Sequence, residues 1–259
     1  MRRSNRPACP PNRFIRQGNG ARNARSLIES HPVNHMQVVV VGSGKLATEL
    51  LRSHNLDNTY QVVSWSDSAR ADVASIVVHA GSGRELPAAL AFCRATGSPL
   101  VELSTGSDLE TGSHDFPIVL CPNTNILMLK FMSMLETSGH LFRNCDISLV
   151  ESHQATKTSV PGTAVGIGRS LGLQPQDIRS VRDPDVQRRE LLVPDDELGR
   201  HAYHRVRIED GACSLQLESR VYGASPYADG VSRIVEAVGR HALENRRYPV
   251  MEFVRNGWL

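Results

Sequence analysis

The chain has 259 residues, 40% of them hydrophobic and 22% charged, which suits one large or two modest cores and excludes wholesale disorder. No apolar run approaches the about eighteen residues of a membrane span, so no membrane partner is expected. The net charge of +2 hides a split: residues 1–35 hold seven arginines against Glu29, a net of +6, and the mildly acidic remainder gives no electrostatic reason for a nucleic-acid partner.

Residues 1–35 are rich in Arg, Asn, Pro and Gly and lack hydrophobic periodicity, so they read as a disordered basic leader. A transit peptide or a start upstream of Met36 are the alternatives. Folding signals begin at Met36. The β-branched run Gln37–Val41 predicts a strand buried on both faces, followed by the turn Gly42-Ser-Gly-Lys-Leu-Ala47 and a helix with Leu46, Leu50 and Leu51 on one side. Further strands are expected at Gln61–Trp65, Val73–His79, Pro99–Leu103 and Pro117–Leu120, with a helix over Glu85–Thr96. Alternating strands and helices predict an α/β fold with a Rossmann-type, doubly wound parallel sheet.

After Pro122 the texture changes. An amphipathic helix is expected over Asn125–Thr137, then a strand at Asp146–Glu151, a polar loop and a helix from about Gly162. Two alternating runs, His204–Glu209 and Ser214–Tyr222, flank Asp210-Gly211 and read as a hairpin. Residues 123–227 are therefore read as a mixed α/β substrate domain containing an antiparallel sheet. Residues 36–122 form the dinucleotide-binding domain, to which 228–259 return through a helix at Tyr227–Asn245. The five cysteines (9, 93, 121, 145 and 213) show no C-x-x-C or Cys/His spacing, so no metal is expected and mostly buried, reduced thiols in a cytoplasmic protein are.

Two segments carry chemistry. In Gly42-x-Gly44-x-x-Ala47, Gly42 permits the tight turn, Gly44 lets the backbone approach a pyrophosphate, and Ala47 lets helix and strand pack closely; Ser43, Lys45 and Leu46 complete the turn. The cofactor is NADPH or NADH. Ser64, Ser66 and Arg70 would accept a 2′-phosphate, whereas Asp67 would select NAD. In Glu151-Ser-His-Gln-Ala-Thr-Lys-Thr-Ser-Val-Pro-Gly-Thr-Ala164, His153 ends a strand and Lys157 follows four residues on, bringing an imidazole and an ammonium together. Pro161-Gly162-Thr163 then opens a helix whose free N–H groups can hold a carboxylate. A proton donor, a cation and an anion pocket are what hydride transfer to an unsaturated acid requires.

The segment Glu151–Ala164 resembles the dihydrodipicolinate reductase (4-hydroxy-tetrahydrodipicolinate reductase) signature E-x-H-H-x-x-K-x-D-A-P-S-G-T-A. Val38–Ala47 resembles that family's cofactor turn, Ser104-Thr105-Gly106 its G-T-T-G beside the nicotinamide, Cys121-Pro122-Asn123 its A-P-N hinge, and Arg220–Gly230 its S-R-x-x-F-A-x-G. The resemblance runs in order from Met36 to about Val254. It implies a two-domain, NADH- or NADPH-dependent oxidoreductase of lysine biosynthesis, assembled as a homotetramer. His153 is its proton donor, Lys157 its lysine, and Gly162 and Thr163 bind a substrate carboxylate, with Gln154 and Asn123 beside them. The chain is a divergent member in that comparison: the second histidine is Gln154, the aspartate is Ser159, and the serine before Gly162 is absent. The expected function is reduction of a cyclic imine or unsaturated carboxylic acid. The alternatives are a non-catalytic dinucleotide-binding sensor or partner protein and an amino-acid dehydrogenase of similar architecture.

Overall fold

The computed structural model describes residues 36–259 apart from 54, 57–58, 69–72, 74, 159–160 and 224. The expected leader at 1–35, Arg70, Ser159 and the side chain of Asp67 lie outside the described residues. Among the described residues no helix is long and apolar enough to cross a membrane.

Six strands form a wholly parallel sheet in the order β10-β5-β4-β3-β1-β2: β1 (Met36–Val41), β2 (Tyr60–Ser64), β3 (Ser75–His79), β4 (Leu100–Glu102), β5 (Ile118–Leu120) and β10 (Arg247–Pro249). The valine run of β1 has no polar side because both its faces are covered. Val38 and Val40 pack under α1 (Lys45–Arg52) and α7 (Ser225–Arg240), whereas Val39 and Val41 pack under α3 (Leu86–Thr96). From β1 the chain turns to β2 on one side and then to β3 on the other. The strand order therefore reverses between β1 and β3, the place where such sheets open a ligand crevice at the carboxyl ends of the strands.

The second sheet has the order β7-β6-β8-β9, with β6 (Asp146–His153), β7 (Ile178–Val181), β8 (His201–Asp210) and β9 (Cys213–Tyr222). The expected hairpin is β8–β9, antiparallel, with Asp210 opposite Cys213. Strand β7, for which the sequence gives no periodic signal, pairs parallel to β6 through the crossover helix α5 (Gly162–Leu171). One face packs Leu149, Val206 and Ile208 against α4 (Ile126–Ser138) and α5. The opposite face gathers Val150, Val181, Leu191, Val193 and Tyr203 near α6 (Pro184–Arg189).

Three expectations shift. Strand β2 ends at Ser64, and Trp65 opens a short helix, α2 (Trp65–Ser68), where its ring meets Phe92 edge-on at 5.8 Å. The last helix stops at Arg240; Tyr248 then joins the first sheet in β10, with its hydroxyl accepting from the Glu244 N–H, and α8 (Val250–Arg255) follows. Of the cysteines, Cys93 and Cys121 are buried, but Cys145 is half-buried and Cys213 exposed, because β9 is an edge strand.

Helix α7 rests directly on the backbone at the start of α4. A Cβ on Gly230 would fall within the van der Waals radius of the Thr124 carbonyl oxygen, and the Thr124 hydroxyl donates to the Tyr227 carbonyl at 3.2 Å. Gly230→Ala must push this helix off a backbone atom that cannot rotate away. It is expected to cost at least about 2 kcal/mol, read as a lower urea midpoint at unchanged slope.

Candidate functional site

The first cluster lies at the reversal point of the parallel sheet. Gly42 follows β1 with φ +128°, and a Cβ there would sit 2.6 Å from the Ala80 carbonyl oxygen, so only glycine allows the β1 and β3 turns to approach this closely. Gly44 is the N-cap of α1 and makes no side-chain cap, which leaves the first-turn N–H groups for an anion. Ala47 is fully buried against the sheet and the Leu46 side chain turns into the core, whereas Ser43 and Lys45 are exposed. Gly42–Gly44, Ala80–Ser82, Arg84 and Glu85 line a crevice of about 320 Å³. The Ser104 hydroxyl donates to the Gly81 carbonyl at 3.0 Å, which joins the predicted Ser104–Gly106 segment to this crevice; Thr105 and Gly106 continue it on the surface.

The second cluster lies at the carboxyl end of β6. Ile147, Leu149, Glu151 and His153 alternate along one face of this strand; the first two pack with the α4 and α5 core, and the last two continue the row. Because α5 is the crossover between two parallel strands, its N-terminus returns to the end of β6 where His153 stands. Pro161 caps α5 without a side-chain bond, so the amides at Gly162 and Thr163 are open to an anion. The Asn123 amide donates to the Thr163 hydroxyl at 3.1 Å, bringing those two predicted residues together.

His153 is held rather than loose. Its Nδ1 lies 2.9 Å from Glu151 Oε2, and Arg182 Nη2 donates to Glu151 Oε1 at 2.7 Å. Burial pushes the Glu151 carboxyl up, but hydrogen bonds from His153, Arg182 and Ser180 overcome it and hold the group at about 2. The carboxylate is ionised, so Nδ1 is the donor and Nε2 is the nitrogen left to exchange a proton. The Gln187 amide fixes the strand end by donating to the His153 carbonyl at 2.8 Å. Arg182 Nε also donates to the Lys157 carbonyl at 2.8 Å, and the Lys157 N–H closes a turn on the Gln154 carbonyl, so lysine and histidine are positioned by one arginine. Gln154 stays half-buried beside this turn.

No motif assigns a role to Glu151, Arg182 or His204. Glu151 was recoverable, since i and i+2 share a strand face. Arg182 and His204 come from β-strand partners whose registers no local pattern reveals. Across the sheet Ser180, Glu151, His204 and Ser219 form one row. The His204 ring meets His153 edge-on at 5.8 Å, and burial, followed by the proximity of His153, pushes it down to about 4.

Comparison with known proteins adds the following. No family model matches the chain. It is 30% identical over 157 residues to the probable 4-hydroxy-tetrahydrodipicolinate reductase 1, chloroplastic, of Oryza sativa subsp. japonica, a match covering 54% of this chain and 45% of that protein. It is 27% identical to 4-hydroxy-tetrahydrodipicolinate reductase 2, chloroplastic, of Arabidopsis thaliana, covering 54% and 44%. The chain thus spans about half the length of these curated relatives. The dipicolinate-bound dihydrodipicolinate reductase from Paenisporosarcina sp. TG-14 superposes with a TM-score of 0.58 at 14% identity, covering 83% of this chain and 97% of that one, which establishes a shared fold. Over the matched residues the chain is similar to 4-hydroxy-tetrahydrodipicolinate reductases.

The His204 environment predicts an acid-labile sheet. Its folded value lies below the ordinary 6.5, so the unfolded chain binds more protons between pH 6.5 and about 4, and stability falls as pH falls through that window. The loss is up to about 3 kcal/mol. His204→Leu is expected to flatten most of it in urea unfolding compared at about pH 7 and about pH 4.5. A residual slope from His201, also lowered by burial, remains.

Proposed function

We propose that the protein is an NAD(P)H-dependent reductase that transfers hydride to a cyclic imine or unsaturated carboxylic acid, with the parallel-sheet region (36–122 and 228–259) holding the dinucleotide and 123–227 holding the substrate. The observation that carries the reading is the Glu151–His153 pair, a buried ionised carboxylate fixing an imidazole beside the uncapped start of α5. The dinucleotide fits because the Gly42–Gly44 turn lines an open crevice and α1 starts there without a cap. When bound, the reduced nicotinamide supplies the hydride.

The chain's own residues do the rest. The N–H groups after Gly44 hold the pyrophosphate, and Ser104, Thr105 and Gly106 border the nicotinamide side. His153 Nε2 delivers a proton to the atom that gains charge as the hydride arrives, and Glu151 stabilises the imidazolium when the proton is reloaded. The Lys157 ammonium and the amides at Gly162 and Thr163 bind substrate carboxylate, with Asn123 keeping Thr163 in place. The relatives' names support a lysine-pathway substrate. Gln154 opposes it, because a neutral amide pairs a second buried carboxylate poorly, and an unpaired buried charge is costly. The preferred substrate is therefore a related imine or unsaturated acid, and the lysine-pathway compound is a weak one. Edge strand β9, exposed along most of its length, is where a second copy would add in a homo-oligomer.

Gly44 provides a clean test of the cofactor turn, since a Cβ there meets nothing closer than the Ala80 carbonyl oxygen at 3.9 Å. Gly44→Asp is expected to fold normally and to bind no NADH or NADPH by calorimetry, because its carboxylate opposes the pyrophosphate. Retained affinity in a folded variant removes this turn from the site.

His153→Gln and Lys157→Ala are each expected to lower kcat/KM by roughly 10²–10⁴ while leaving dinucleotide affinity unchanged. Turnover is followed as NAD(P)H oxidation with freshly generated hydroxytetrahydrodipicolinate and with simpler cyclic imine acids. Near-normal rates in both variants dismiss the pair. Turnover of hydroxytetrahydrodipicolinate above about 10⁵ M⁻¹s⁻¹ makes that compound the substrate after all.

A further inference from the structure

A second histidine–carboxylate pair lies outside the proton-donating cluster. His79 ends β3 and Glu102 ends β4, adjacent in register, and neither side chain has solvent exposure. His79 Nδ1 is 2.8 Å from Glu102 Oε2 and 3.0 Å from Oε1, and the Ser104 N–H donates to Oε1 at 2.7 Å. His79 Nε2, in contrast, is buried and has no hydrogen-bond partner among the described residues. Such an atom is costly to the fold if nothing ever satisfies it.

Its surroundings indicate what does. Nε2 lies under Gly81, which lines the dinucleotide crevice. Gly81 is not in the left-handed region, so its backbone does not demand glycine. A Cβ at 81 would lie 3.1 Å from Nε2 and 3.4 Å from the Gly42 Cα. Gly81 therefore packs closely on the unpartnered nitrogen while lining the crevice beside the Gly42 turn, and a side chain at 81 would press on both.

We infer that His79 is a cofactor-binding residue: its Nε2, oriented by Glu102, hydrogen-bonds the nicotinamide–ribose half of the dinucleotide through the gap at Gly81. This rests on the dinucleotide reading above. With Nδ1–H donated to Glu102, Nε2 presents a lone pair, so the ligand group must be a donor. The adenosine half of a dinucleotide extends towards β2, and the other half crosses the reversal point towards β3 and β4. Donors on that half are the ribose hydroxyls and the carboxamide NH₂.

Dinucleotide dissociation constants test this in four forms of the full chain: wild type, Glu102→Gln, His79→Leu with Glu102→Gln, and Gly81→Ala. Glu102→Gln keeps an acceptor for Nδ1 and serves as the reference, so the double variant removes His79 without stranding a buried carboxyl group. The double variant is expected to bind NAD(P)H at least about ten-fold more weakly than the reference, one hydrogen bond's worth. Affinity for ADP, which lacks the nicotinamide half, should not change. ADP-ribose separates the two donors: a parallel loss identifies a ribose hydroxyl, and no loss the carboxamide. Gly81→Ala, which keeps the pair but caps Nε2, should show the same loss and decides the matter if the double variant does not fold. Affinity within two-fold of the reference in the folded variants, or an equal loss for ADP, overturns the inference and leaves a buried water as the partner of Nε2. Failure of wild type itself to bind dinucleotide overturns the cofactor reading, and this inference with it.

Discussion

A carboxyl group removed from water must find its hydrogen bonds inside the protein or lose several kcal/mol, and this chain removes two, Glu102 and Glu151, at the carboxyl ends of strands in different sheets. Much of the arrangement around both clusters follows from satisfying them. Glu151 draws Arg182 from the end of β7 and His153 from its own strand, and Arg182 in turn fixes the backbone at Lys157. A glutamine at 151 would break that chain of contacts at its centre, although it touches neither dinucleotide nor substrate in the proposed scheme. Glu102 likewise ties β3 to β4 and holds the Ser104 amide, whose hydroxyl reaches back to Gly81.

The two sheets solve the same problem of placing polar groups on apolar scaffolds. In β6 the side chains Ile147 and Leu149 are in the core, and only the last two residues on that face are polar. The strand therefore anchors at one end and places its polar groups at the other. In the first sheet β3 is apolar from Ile76 to Val78 and changes to His79 at its last residue. Strand ends suit such groups because core packing fixes their position while the turn beyond remains open to a ligand. Across the two sheets, Arg200 joins Glu49 of α1 at 2.8 Å and lies over the Tyr227 ring, which ties the segment before β8 to α1.

Legibility in the sequence tracked the range of the interaction responsible. The valine run, the Gly42–Ala47 turn and the Asp210-Gly211 hairpin are set by local periodicity and backbone conformation, and they lie where the residues predict. Strand β10 has three residues and is specified by pairing with β5, more than 120 positions earlier, so the helical pattern before it extends too far. Strand β7 is invisible for a similar reason: Ile178 and Val181 are its only buried residues. Without β7 there is no Arg182 beside Glu151, and without the β6–β8 register there is no His204 beside His153. The predicted motif thus supplied the groups that would contact substrate and dinucleotide, but not those that hold them.

The two histidine–carboxylate pairs differ in ways that fit them for different work. Glu151 has a guanidinium partner, so its charge stays balanced whether His153 is neutral or protonated, and the imidazole keeps 14% of its side-chain surface accessible. A group so placed can lose and regain a proton without leaving an uncompensated buried charge. Glu102 has no guanidinium partner among the described residues, and both members are buried. Repeated proton exchange there would have to cross a closed surface, whereas a fixed hydrogen bond to a ligand would not. The proposed scheme therefore assigns proton transfer to the pair in the mixed sheet and orientation to the pair in the parallel one, so that hydride source and substrate would be held on separate sheets.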